Sequence, residues 1–292
     1  MIVTSHLLAA WLPALAFGQA DHRVPYLAAL AHTPLAFLWA GDLCVTLFFV
    51  HSGYVLSNRF LVTGNTADLR RQAVKRAVRL GVPVAAAVVA TGLLVNVGAM
   101  HNVRAAGISS SPWLASFYAS GPRPGLLWSA FGGSLFAGSS WWIGSLWSIS
   151  VQFFGSLFVF ALISVFGHDR RRNLVFAVII AWAIIAGSPR FGVHLAAFTI
   201  GVWFCAARSR PATAESRSAT GSRTNLVAVV GVATTVAVYF GSWPEEQDVG
   251  PWYSFLASRA RFMDSYLRPR AMAHTIAAVA VFWLVQIGRA HV

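Results

Sequence analysis

The chain has 292 residues, of which 57% are hydrophobic and only 11% charged, with a mean hydropathy of +0.63; that balance excludes a soluble globular domain and predicts a polytopic membrane protein. The net charge of +13 comes almost wholly from arginines clustered between apolar runs. Positive charge held on the cytoplasmic side accounts for such clusters, and no nucleic-acid partner is expected.

Runs of about 17 to 25 mostly apolar residues predict spans over 1–18, 35–57, 80–100, 141–167, 173–188, 192–207, 225–241 and 271–286. The fold class is therefore all-α, a transmembrane helix bundle of about eight spans. Arg59, Arg70, Arg71, Lys75, Arg76 and Arg79 follow the second span, Arg170 to Arg172 the fourth, and Arg208, Arg210, Arg217 and Arg223 the sixth. These connections are expected in the cytoplasm, so the first helix starts inside and runs outward.

The first span starts at Met1 without a basic flank, which argues against a cleaved signal peptide. The second, "GDLCVTLFFVHSGYVLSNRF", carries Asp42, His51 and Ser52 at membrane depth, where ionisable side chains mark functional sites by default. A 100° step puts Asp42, Thr46, Phe49 and Gly53 on one face, with Cys44, Phe48, His51 and Val55 nearly opposite. Asp42 falls near the outer end, where hydration tolerates an acid, and is read as structural. Residues 101–140 form a Gly-, Ser- and Pro-rich outer connection ending at "SSWWIGSLW", whose Trp141 and Trp142 read as interfacial anchors. His194 and His274 fall near outer helix ends and are read as ordinary packed histidines.

Residues 208–224, "RSRPATAESRSATGSRT", lack periodicity and read as a flexible cytoplasmic linker. The two cysteines, Cys44 and Cys205, fall inside apolar segments, and neither a disulfide framework nor a metal site is expected. The last six residues, "IGRAHV", match one translation frame of a common sequencing-library adapter. Residues 287–292 are therefore expected to carry no native structure.

Three stretches carry the chemistry. "VTSHLLAAW" puts His6 in the first helix; "DLRRQAVKRAVRLGVP" places Arg76 and Arg79 three apart on one helix face; "LWSISVQFFGSLFVF" puts Gln152 in the fourth span. Together, "LFFVHSGYVLS", "KRAVRLGVP" and "SLWSISVQFFGSLFVFAL" resemble the membrane-bound acyltransferase-3 superfamily over about residues 1–165. Its members carry FF-x-x-SG, R-x-x-R before a Pro, and W-[ST]-[LI]-x-[VI]-E segments in this order. "HLAAFTIGVWF" is similar to the family's later F-x-x-G helix.

The resemblance implies one transmembrane acyltransferase domain over 1–286, truncated at both ends and part of a bundle of about ten helices. It implies an integral, multi-pass protein, in the plasma membrane if bacterial. The reaction would move an acetyl or short acyl group from acyl-CoA, a donor co-substrate and not a bound cofactor, to a hydroxyl of a carbohydrate or related acceptor. The family's central motif is an Arg, ten residues, then a His; His6 matches the His, and the Arg would precede Met1.

His6 is thereby assigned as general base, which an imidazole suits, and Arg76 and Arg79 as the grip on the CoA phosphates. Gln152 stands where the family has Glu and is assigned with His6 as a catalytic residue; it keeps hydrogen bonds but cannot take a proton. His51, Ser52 and Gly53, with Trp147 at the head of the third motif, are assigned to the substrate cavity. Two other readings compete: a permease for a glycan or small metabolite, since intramembrane His and Arg also mark transport paths, and a catalytically inactive relative, suggested by Gln152.

Overall fold

Residues 41–63 form the helix around which the chain is organised. A computed structural model describes residues 1–18, 24–117, 125–185, 191–208, 223–244, 250–259 and 267–290. Among them every regular element is helical. In chain order these are α1 (Ile2–Trp11), α2 (Pro13–Phe17), α3 (Pro25–Ala31), α4 (Gly41–Thr63), α5 (Thr66–Asn96), α6 (Asn102–Ser109), α7 (Pro112–Ala115), α8 (Leu126–Trp128) and α9 (Ser134–Phe136). They continue with α10 (Trp147–Phe166), α11 (Arg172–Ile185), α12 (Gly192–Arg208), α13 (Arg223–Gly241), α14 (Gly250–Arg259) and α15 (Leu267–Ala290). A 3₁₀ turn over Pro34–Trp39 precedes α4.

The two faces of α4 differ as its periodicity predicts: Thr46, Phe49 and Gly53 are buried, whereas Phe48, His51 and Val55 are exposed. The buried face packs chiefly on α12, and glycines set the distance. A methyl group at Gly53 would collide with the Phe198 carbonyl oxygen, and one at Gly201 with the Val50 carbonyl oxygen. The two backbones thus meet through reciprocal glycines, the small-residue contact that membrane helices use in place of a hydrophobic drive. Phe198 fills the space left by Gly155 on α10 and stacks on Phe49 at 5.1 Å, so α4, α10 and α12 share one core, joined by Phe176 of α11 and Phe282 of α15.

Helix boundaries follow local chemistry. Gly64, with φ +67°, ends α4, and Asn65 Oδ1 accepts the Ala67 N–H at 3.0 Å to start α5. The α5 helix begins well before the apolar run at residue 80, so Arg76 and Arg79 are helical residues a turn apart. The predicted first span is instead broken: Leu12 leaves helical geometry and Pro13 restarts the chain as α2, because proline cannot donate the amide a continuous helix needs. Trp142 is buried at 3% exposure beside Val84 and Val88 of α5, so it is a packing residue and not the interfacial anchor expected of it.

Three stretches are long and apolar enough to cross a membrane among the described residues: Thr66–Asn96, Gly144–Phe166 and Pro269–Ile287. The α11, α12 and α13 helices fall on predicted spans but are shorter or more polar, and α4 has the length while carrying Asp42, His51, Ser52, Asn58 and Arg59. Residues 209–222 of the expected linker lie outside the described residues, as do 291 and 292; α15 runs through 287–290.

Candidate functional site

Where the N-terminal ends of α4 and α10 meet α1 and the start of α15, the bundle encloses a cavity of about 270 Å³. Its wall is both aromatic and ionisable: Trp39, Trp113, Trp147 and Trp243 line it, together with His6, His32, Asp42, Arg270 and His274. A concave site that joins aromatic rings to convergent polar groups is where small molecules bind.

His6 reaches the cavity from α1. Its ring stacks on Trp113 at 5.6 Å with 14° between planes and remains exposed. Neighbouring contacts fix the short α1 helix in place. Ser111 is fully buried and donates to the Ala9 carbonyl at 2.6 Å, and Gly41 leaves room for the Ser5 side chain. His6 therefore stands level with the first residue of α4. His6 thus sits on a helix of 10 residues and not within the continuous 1–18 span expected, because Pro13 ends α1.

Across the cavity, Arg270 Nη2 and Asp42 Oδ2 form an ion pair at 2.8 Å, with the Arg270 side chain 13% exposed and that of Asp42 48% exposed. Arg270, His274, His194 and His6 all lie within electrostatic reach of the Asp42 carboxylate. His194 stands behind the wall, its ring 5.7 Å from Trp147 and 5.0 Å from Phe49.

Of the residues assigned from sequence, His6 and Trp147 meet at this cavity; the others do not line it. His51 is exposed and faces Phe282 at 6.2 Å, because it lies half a turn away from Asp42 around α4. Gly53 is closed off by the α12 backbone and offers no room for a ligand. Ser52 is buried and accepts a hydrogen bond from Gln152 Nε2 at 2.9 Å.

Gln152 in turn lies in a polar ladder: its carbonyl accepts from Ser156 Oγ at 2.5 Å, and Ser156 Oγ accepts from Arg76 Nε at 2.9 Å. An ionised glutamate could not donate to Ser52 as this amide does, so here the Gln joins α10 to α4. Ser156 is nine residues beyond Trp147, about 14 Å along α10, so Arg76 reaches the bundle interior well below the cavity. Arg79, one turn further along α5, is exposed.

Sequence reasoning passed over Asp42 and His274 as structural, and did not single out Arg270 or His32. The one usable signal was Asp42 at the head of an otherwise apolar helix, since an acid there calls for a cation; Arg270, 228 positions away in sequence, is that cation.

Membrane-length helices, and a chamber between the bundle's helix ends that bears imidazoles and an ion pair, define a helical membrane protein with a polar cavity. The sequence pattern of the acyltransferase-3 family, an acyltransferase domain, matches residues 1–291. The chain belongs to that family and is an acyltransferase, one that transfers groups other than aminoacyl groups. No curated protein and no solved structure matches it.

Proposed function

We propose that the protein is a multi-pass enzyme that moves an acetyl or short acyl group from acyl-CoA to a hydroxyl of a carbohydrate or related acceptor. The observation that carries this reading is the exposed His6 imidazole at a cavity lined by four tryptophans. Flat aromatic rings cover the apolar faces of a sugar, and the interspersed polar groups meet its hydroxyls. In the proposed reaction His6 takes the proton of the acceptor hydroxyl as its oxygen attacks the thioester carbonyl. The C–S bond then breaks and the thiolate takes that proton back from the imidazolium.

The donor would approach from the basic end of the bundle. Arg76, half-buried and held by Ser156, and Arg79, exposed a turn away, supply guanidinium groups for its phosphates. The Ser52, Gln152 and Ser156 stretch separates that end from the cavity, and CoA, with phosphates at one end and the thioester at the other, is suited to such a division. The basic loops are cytoplasmic in this reading, which puts acyl-CoA on the side where it is made.

The test is transfer of a labelled acyl group from acyl-CoA in membranes containing the chain. His6→Ala should lower kcat by about 10²- to 10⁴-fold, the range of a lost general base, with the acyl-CoA KM unchanged. Equal turnover in the variant overturns the mechanism.

A further inference from the structure

His274 lies one turn beyond Arg270 on α15, is only 3% exposed and contributes to the cavity wall. Its ring interacts with the backbone of Trp243, while Nε2 is buried and has no hydrogen-bond partner among the described residues. With Nε2 unpartnered, the ring nitrogen left to meet the Trp243 backbone is Nδ1, and a proton held there makes Nε2 a lone-pair acceptor.

A buried acceptor without a donor carries an uncompensated desolvation cost, and such atoms in native proteins point to a role. His194 repeats the pattern: Nδ1 is buried and has no partner among the described residues, and this ring is within electrostatic reach of His274. With His32 Nδ1, three imidazole nitrogens without a hydrogen-bond partner among the described residues thus stand at or just behind the wall of one aromatic cavity, beside the Asp42 and Arg270 pair.

We propose that His274 is a binding residue for the acyl acceptor, its Nε2 accepting a hydrogen bond from an acceptor hydroxyl lodged at the inner end of the cavity. The inference rests on the carbohydrate-acceptor reading above and adds a second anchor to it. A hydroxyl fits because it brings the donor the nitrogen lacks; an ether or carbonyl at the same place brings none and is rejected. The adjacent Asp42 and Arg270 supply an acceptor and donors for neighbouring hydroxyls of the same ring.

The experiment uses the full chain in a sugar-free detergent, titrated with methyl β-D-glucopyranoside and followed by the fluorescence of the cavity tryptophans. Asparagine places its amide where Nδ1 stands and keeps the contact to Trp243; glutamine reaches the position of Nε2. His274→Asn should raise the glycoside Kd by about tenfold, the value of one hydrogen bond to a buried acceptor, while His274→Gln stays near wild type. A purely structural histidine gives the reverse order, with Asn tolerated and Gln not, and that result overturns the proposal. So does an unchanged Kd in both variants, or no saturable fluorescence change in the wild type. Saturable binding with the predicted order but no acyl transfer to the glycoside would sink the catalytic reading and leave the acceptor site standing.

Discussion

Placing a single methyl group at Gly53 tests how closely α4 and α12 approach. Alanine there gains about 0.8–1 kcal/mol of helix propensity over glycine, but its Cβ would meet the backbone of Phe198 and no flexible side-chain tip. Backbone cannot swing aside, so the overpacking cost falls toward the upper end of about 1–3 kcal/mol, and the net effect is destabilisation of about 2 kcal/mol. Gly231 is the control. It sits on the exposed face of α13 with open space where a Cβ would stand, so Gly231→Ala keeps the propensity gain and stabilises by about 0.8–1 kcal/mol.

The two substitutions should therefore differ by about 3 kcal/mol, more than a hundredfold in the folded-to-unfolded ratio. The protein carries its own reporter. Cys205 on α12 is 1% exposed, and a thiol-reactive dye labels it only as the helices separate; a Cys44→Ala background removes the half-buried second thiol. On heating in detergent, Gly53→Ala should label at a lower temperature than wild type and Gly231→Ala at a higher one. A Gly53→Ala protein as resistant as the Gly231→Ala protein would refute the reciprocal-glycine contact.

Ser156→Ala removes the acceptor that fixes Arg76, and should raise the acyl-CoA KM by about two- to tenfold, the worth of one modest hydrogen bond, with the temperature of Cys205 labelling little changed. Arg270→Met leaves the Asp42 carboxylate without its guanidinium and should cost about 1–2 kcal/mol in the same labelling assay, a figure kept low because Asp42 is half-exposed; adding Asp42→Asn should recover most of it, and a strictly additive double variant would show that the pair is not coupled. Tyr253→Phe deletes the 2.6 Å contact with Ser242 beneath α14 and should destabilise by about 1 kcal/mol, read as earlier Cys205 labelling, without altering acyl-CoA turnover per folded molecule.

Helix positions were legible in the sequence because hydropathy follows burial in lipid. The two faces of α4 were legible as well: the step that set Asp42 opposite His51 already separated a cavity residue from an exposed one, and assigning His51 to the cavity disregarded it. Hydropathy is blind to where helices start and stop. It passed over Pro13, which breaks the first span, and the apolar run from residue 80 marked only the later part of a helix that begins at Thr66. The cavity was the least legible part. Its polar wall is drawn from residues 6, 32, 42, 270 and 274, which belong to α1, the turn after α3, α4 and α15, and periodicity within one helix carries no information about which elements converge. His274 in isolation is one histidine on an apolar helix; only its neighbours Asp42 and Arg270 set it apart.

The imidazole at residue 6 rides on a helix of barely three turns, and its footing comes from Ser111 and Trp113 in the outer connection. In the proposed mechanism, alignment of that ring is thereby delegated to a peripheral collar, outside the membrane-length core. On that proposal, exchanging residues 101–117 between relatives retunes which hydroxyl acceptors are used while the interior scaffold stays as it is, so diversification of acceptor range has a route that leaves the packed glycine seam undisturbed.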